Sequence, residues 1–178
     1  MSAARIIIYM CAALCLLPGA AFARTKVALP QTAPLTADCI MDAASSSGLP
    51  LAALIGILAA ENGRMGEALR NDNGTWDMGA FQLNTIHVNA LAEMGIAPET
   101  VLQNGCVNAY AAAWLLRKEL NRTGDIWQAI GAYHSRTPHR RDAYIAQVKI
   151  HLARLSRSGI FALPLLAPDS PSGKEDAQ

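Results

Sequence analysis

Charge and aromatic surface are scarce in this chain. Charged residues make up 16% of it and aromatic residues 6%, and the two signs nearly cancel, 15 Lys and Arg against 14 Asp and Glu. Without a basic excess the chain has no electrostatic hold on nucleic-acid phosphates or on an anionic lipid surface, so neither is expected as a partner. His87, His134, His139 and His151 lack zinc-type spacing and no cysteine joins them, so no metal site and no cofactor are expected. No stretch of any length alternates apolar and polar residues, which excludes a sheet-dominated fold. Beyond the N-terminus no segment is long and apolar enough to span a bilayer.

What is present begins with MSAARIIIYMCAALCLLPGAAFA. One positive residue, Arg5, precedes an apolar run that ends in Ala21-Phe22-Ala23, an A-x-A signature. Residues 1–23 therefore read as a secretory signal peptide, cleaved after Ala23, rather than as an anchor. Their removal takes one charge, Arg5, and leaves 14 basic and 14 acidic residues. It also removes Cys11 and Cys15. Cys39 and Cys106 stay, and the simplest state of an isolated pair in an exported protein is one disulfide. Such a link closes a long loop and contributes roughly 4 kcal/mol on the chain-entropy model. Two unpaired buried thiols are the alternative.

The rest divides into three. Residues 24–35, RTKVALPQTAPL, read as a flexible leader. Residues 159–178, with the Pro-, Ser- and charge-rich stretch ALPLLAPDSPSGKEDAQ, read as a disordered tail. Between them, residues 36–158 suffice for one domain. Helices are predicted over 36–46, with Thr36 as N-cap, and over 50–62, with Pro50 in the first turn. Residues 63–80 hold Gly63, Gly66, Gly74 and Gly79 among several Asn and Asp. They read as an irregular loop with a small hairpin at DNGT. Further helices are predicted at 84–94, 98–103, 105–121, 126–133, capped by Asp125, and 138–157. The fold class is mainly α, a single domain with one irregular loop region.

Three blocks carry chemistry. The first is the helix LAALIGILAAE, which ends in Glu61. At about 100° per residue Glu61 falls inside the arc of Leu54, Ile55, Ile57 and Leu58, so its carboxyl is directed toward the core side. Partial desolvation and the negative end of the helix dipole both favour its protonated form, as a general acid requires. If the helix ends a turn early, Glu61 is a solvated end residue; spacing alone leaves both open. Glycosidic cleavage usually engages a second carboxylate. Glu67, Asp72 and Asp77 are candidates, and turn roles are the plainer reading for the two Asp. The second block is DMGAFQLNTIHV, 77–88. Gly79 permits close backbone approach to a ligand. The amides of Gln82 and Asn84 suit sugar hydroxyl and acetamido groups, and Asn84 also fits as a helix cap. Trp76 and Phe81 offer flat faces for sugar rings, with core packing as the default. The third is GAYHSRTP, where Tyr133 ends a helix beside a polar turn.

Ala60-Glu61-Asn62, then Asp77-Met78-Gly79-Ala80-Phe81-Gln82-Leu83-Asn84, then Ala132-Tyr133-His134 resemble, in this order, the three motif blocks of the lysozyme-like lytic transglycosylases (the soluble lytic transglycosylase domain). The resemblance covers about residues 37–155. It implies a lysozyme-like fold and cleavage of the β-1,4 bond between N-acetylmuramic acid and N-acetylglucosamine in peptidoglycan, with a 1,6-anhydro-muramoyl end as product. It implies Glu61 as acid and then base, with no second carboxylate required. Tyr133 would orient Glu61 or contact sugar. Asn62, Met78, Gly79, Gln82 and Asn84 would complete the substrate-binding set. The wording GTWDMGAFQLNTIHV with AYHSRTP is similar to the specialised members that accompany conjugation, type IV secretion or pilus machines. This implies a periplasmic enzyme that opens the wall locally, with glycan strands and secretion components as partners. A hydrolytic muramidase and a non-catalytic peptidoglycan-binding scaffold are the alternatives. The sequence departs from the pattern at Asn62, where Ser is usual, and at His134, where Asn is usual.

Overall fold

In the computed structural model, which describes residues 32–159, Thr36 starts the first helix by accepting a hydrogen bond from the Cys39 amide at 3.2 Å. Helix α1 spans Ala37–Ser46 and α2 spans Leu51–Glu61. After the loop region come α3 (Val88–Glu93), α4 (Pro98–Gln103), α5 (Gly105–Thr123), α6 (Ile126–His134) and α7 (Pro138–Arg157). Their ends follow from local chemistry. Asn104 and Asp125 cap α5 and α6 through the amides of Val107 and Gln128, and Pro98 and Pro138 occupy first turns, where a missing N–H costs nothing. Gly124 closes α5 in the left-handed conformation. The expected signal peptide, most of the leader and nearly all of the tail lie outside the described residues.

The long α5 is the axis of the core. Its buried Ala109, Ala111, Ala112 and Ala113 let α1 and α6 approach closely, while Leu115 and Leu116 fill the space between. The disulfide is formed between Cys39 of α1 and Cys106 of α5, 67 residues apart in sequence. Helix α7 lies across α2. Tyr144, Val148 and Leu152, four residues apart and all buried, make its inward stripe. Gly56 lets the two helices come together: a Cβ there would lie 2.8 Å from Val148 Cγ1.

The hairpin expected at DNGT is present: β1 (Ala68–Arg70) and β2 (Trp76–Met78) flank it, and β3 (Leu83–Asn84) extends it to a three-stranded antiparallel sheet in the order β1-β2-β3. Strands of two or three residues are too short for any periodicity to register. One expectation is corrected: the helix expected from residue 84 starts at Val88. Asn84 belongs to β3 and caps a single 3-10 turn, Thr85–His87, accepting from the Ile86 amide at 3.0 Å. Ahead of α1 the chain is tied to the junction of α4 and α5. Ala33 bonds Gln103 O and Gly105 N at 2.8 and 3.0 Å. The strand-like strap fits because residue 105 is glycine, where a Cβ would lie 2.3 Å from Leu35 N.

Candidate active site

Glu61 is the last residue of α2, because the chain leaves the helix at Asn62 with φ 50°, in the left-handed region. Gly63 then runs directly beneath the wall: its amide bonds Ala80 O, and a Cβ would come within 2.2 Å of Gly79 O. The turn leaves the Glu61 carboxyl at the junction of two cavities. The larger, about 580 Å³, is also lined by Asp72, Asp77, Asn84, Tyr133, His134 and Arg140, among others. The smaller, about 250 Å³, is lined by Asn62, Glu67 and Leu69. Gln82 and Glu61 border both, so the two form one groove past the carboxyl.

The carboxyl is poised as an acid. Burial raises its pKa from the ordinary 4.5 to about 7, a hydrogen bond from Tyr144 pulls the other way, and the charge of Asp77 adds to the rise. The Tyr144 hydroxyl donates to Glu61 Oε1 at 2.6 Å. Burial and then the neighbouring Glu61 charge push the phenol's own pKa far up, so it remains a donor. Its ring, on the inward stripe of α7, is fixed on one side by burial in the core. On another it stacks on His134, with centroids 4.7 Å apart and planes within 2°. Burial lowers the His134 pKa, Asp77 opposes this, and Arg140 reinforces it. Among the described residues no three of His, Cys, Asp and Glu gather as a metal-binding group.

The groove wall is built from short polar side chains. Asp77 accepts from Asn84 at 2.7 Å and from Asn71 at 2.9 Å, and both amides also reach Thr75 Oγ1. Gln82 has φ 49°, unusual for a non-glycine residue, and its Nε2 donates to Gly79 O at 2.8 Å. Behind the wall Asn108, fully buried on α5, accepts from Phe81 N and donates to Met78 O and Val101 O.

The predicted residues thus sort into two groups. Glu61, Gln82, Asn84 and Tyr133 meet at the larger cavity and Asn62 borders the smaller. Met78 and Gly79 line neither. The Met78 side chain is buried, and Gly79 is glycine because a Cβ at its φ of 70° would lie 2.5 Å from Asn108 Nδ2, a packing demand and not room for a ligand. Phe81 is core and Trp76 lines neither cavity. Tyr133 does not hydrogen-bond Glu61. Its hydroxyl donates to Phe81 O at 2.8 Å, which ties α6 to the wall, and burial holds its pKa well above the ordinary value.

Sequence reasoning missed Tyr144, Asn108 and the pair Glu119–Arg136. Tyr144 closes an apolar i, i+4, i+8 stripe at its polar end, and Asn108 interrupts the alanine-rich face of α5; both patterns are readable. Glu119 is buried on α5 and accepts from Arg136 at 2.6 Å and Arg122 at 2.8 Å. Burial opposes its charge, but these bonds prevail and hold the carboxyl below its ordinary value. Arg136 thereby fixes the turn after α6, whose Ser135 lines the groove.

The family description of the Transglycosylase SLT domain matches residues 38–149, more than half of the chain. Protein IpgF of Shigella flexneri is 33% identical over 106 residues, 59% of this chain and 70% of that protein. Invasion protein IagB of Salmonella typhimurium is 30% identical over 106 residues, 59% of this chain and 66% of its own length. X polypeptide of Escherichia coli is 35% identical over 89 residues, covering 46% of this chain and about half, 53%, of X polypeptide.

Proposed function

The chain belongs to the transglycosylase SLT domain family and is a peptidoglycan lytic transglycosylase, and we propose that Glu61 carries out its chemistry as sole acid and base. Protonated Glu61 gives its proton to the glycosidic oxygen as the C1–O bond of the N-acetylmuramoyl unit breaks. The carboxylate, held by the Tyr144 hydroxyl, then takes the proton of that sugar's 6-hydroxyl while its oxygen bonds to C1. The product is a 1,6-anhydro end and Glu61 is again protonated. No water enters. The observation that carries this reading is the half-buried Glu61 carboxyl at the groove, raised to about 7 with one fixed hydroxyl donor. Asn62, Gln82, Asn84 and Tyr133 bind the glycan along the groove. Met78 and Gly79 act behind it, as the wall's support.

One observation favours a second reading. Asp77 lines the same cavity and its charge acts on Glu61, as a second carboxylate in a hydrolase would. Against it, both Asp77 oxygens accept amide hydrogen bonds from the wall. Mass spectrometry of digested peptidoglycan separates the two. Products lighter by one water than reducing muropeptides, absent with Glu61→Gln, are expected. Reducing ends would replace this mechanism with the hydrolytic one, and no loss of product with Glu61→Gln would remove Glu61 from the chemistry.

We further propose that the enzyme is exported to the periplasm and opens the wall locally for a secretion, conjugation or pilus machine. The A-x-A signature, the disulfide and the likeness to a protein named as an invasion protein support this. Fractionation of cells expressing the tagged chain tests the location.

A further inference from the structure

Helix α2 is apolar all round until Glu61, and a helix of that kind is ordinarily covered on every side. One side is covered here: Leu54, Gly56 and Ile57 face the core and α7. The other is not. Leu51, Ile55, Leu58 and Ala59, at i, i+4, i+7 and i+8, form the floor of an open groove of about 270 Å³. Ala37, Ile40 and Met41 of α1 make one bank, and Leu155 of α7 makes the other. Every lining side chain is apolar, and Met41 is 45% exposed.

The end of α7 points to what covers it. Gly159 is left-handed, with φ 68°, and its amide bonds Ser156 O at 3.4 Å. With Ser158 as the C-cap, this is one of the two hydrogen bonds of a Schellman ending. That ending is commonly accompanied by an apolar contact between the residue after the glycine and the third residue before the cap. Here those residues are Ile160 and Leu155, and Leu155 is the α7 bank of the groove. The chain continues Ile160-Phe161-Ala162-Leu163-Pro164-Leu165-Leu166, seven residues without a charge or hydrogen-bonding side chain. Extended, seven residues reach roughly 23 Å. The floor from Leu51 to Ala59 is about 12 Å long at the helical rise, so the segment is long enough to cover it. The first charge, Asp169, comes only after this run.

We propose that residues 160–166 dock into the α1–α2–α7 groove of their own chain, as a strap over the uncovered face of the helix that carries Glu61. The inference is independent of the reaction chemistry. The test is methyl NMR on the full chain, with the Met41 ε-methyl resonance identified through Met41→Leu. Phe161→Leu keeps the segment apolar but removes its ring current, and is expected to move the Met41 resonance at every protein concentration. Leu163→Asp with Leu165→Asp is expected to release the strap and raise the fluorescence of an added apolar-surface dye several-fold. A Met41 resonance and dye signal unchanged by both variants would overturn the proposal. So would changes that appear only at high protein concentration, which would make a second copy the occupant.

Discussion

Two regions meet at Glu61 and are held by different forces. The α2–α7 pair is mainly apolar: Ile57, Val148 and Leu152 are buried, Gly56 admits close contact, and two polar bonds, Tyr144 to Glu61 and Gln147 to Ala60 O, sit at the end of the stripe. The wall, residues 63–87, contributes few buried apolar side chains. It is fixed by Asn108 from behind and by the Asn71–Thr75–Asp77–Asn84 set in front. Burial is the leading cause of the raised Glu61 pKa; the helix pair's Tyr144 bond opposes it and the wall's Asp77 adds to it. The wall also sets the shape of the groove. If the helix pair supplies the burial, acid and groove are separable.

Asn108→Ala should break the wall alone, and has the largest expected effect on stability. It strands Phe81 N, Met78 O and Val101 O in a dry place, a cost on the order of 3 kcal/mol. Thermal melts should record that loss and glycan cleavage should fall steeply. In the folded variant the Glu61 carboxyl, followed by NMR, should still titrate near 7. A return toward 4.5 would mean that the wall, not the helix pair, sets the acid.

Glu61→Gln probes the other region through stability. A carboxyl whose folded pKa lies above its unfolded value contributes stability fully below 4.5, which is lost as pH rises through about 7. The neutral amide escapes that loss. The variant should melt close to the wild type at pH 4 and be more stable at pH 8, by up to about 3 kcal/mol. Equal melting temperatures at both pH values would contradict the raised pKa. In the wild type, cleavage should decline above about pH 7 as the acid ionises.

Much of this was legible in the sequence, for reasons that differ between the regions. The arc of Leu54, Ile55, Ile57 and Leu58 admitted an inward Glu61 but left a solvated helix end open, and of the four only Leu54 and Ile57 are core. Caps such as Thr36 and Asp125 marked helix starts, because these depend on neighbours a few residues away. Tyr144 lies 83 residues from Glu61 and Asn108 lies 30 from Met78. Local patterns single out Tyr144 and Asn108 but do not name their distant partners. Tyr133 was placed at the groove, but which acceptor its hydroxyl would meet depended on how far α6 projects over Phe81. Gly79 was read as space for a ligand, whereas the space is taken by Asn108.

Tyr144→Phe sharpens the comparison from the helix side. It removes the donor and leaves the packing, so stability should change by about 1 kcal/mol. The bond favours the charged carboxylate, so without it Glu61 should titrate above 7. The alkaline limb of the pH–rate profile should move up with it, while kcat falls roughly tenfold as the base step loses its fixed donor. A lower kcat with an unmoved limb would leave Tyr144 as packing only.

The smallest effect is expected at Asn62, which belongs to neither region and joins them. Its φ of 50° suits glycine better than asparagine, so Asn62→Gly should leave stability within about 1 kcal/mol of the wild type. The helix end it closes, with its amide on Leu58 O at 3.0 Å, does not need a side chain. The side chain is exposed and borders the smaller cavity. If it contacts glycan, KM should rise a few-fold with kcat unchanged, the mark of uniform binding. An unchanged KM would reduce Asn62 to a left-handed hinge. A fall in kcat instead would mean that its side chain helps aim Glu61, and that acid and groove are coupled through this one residue.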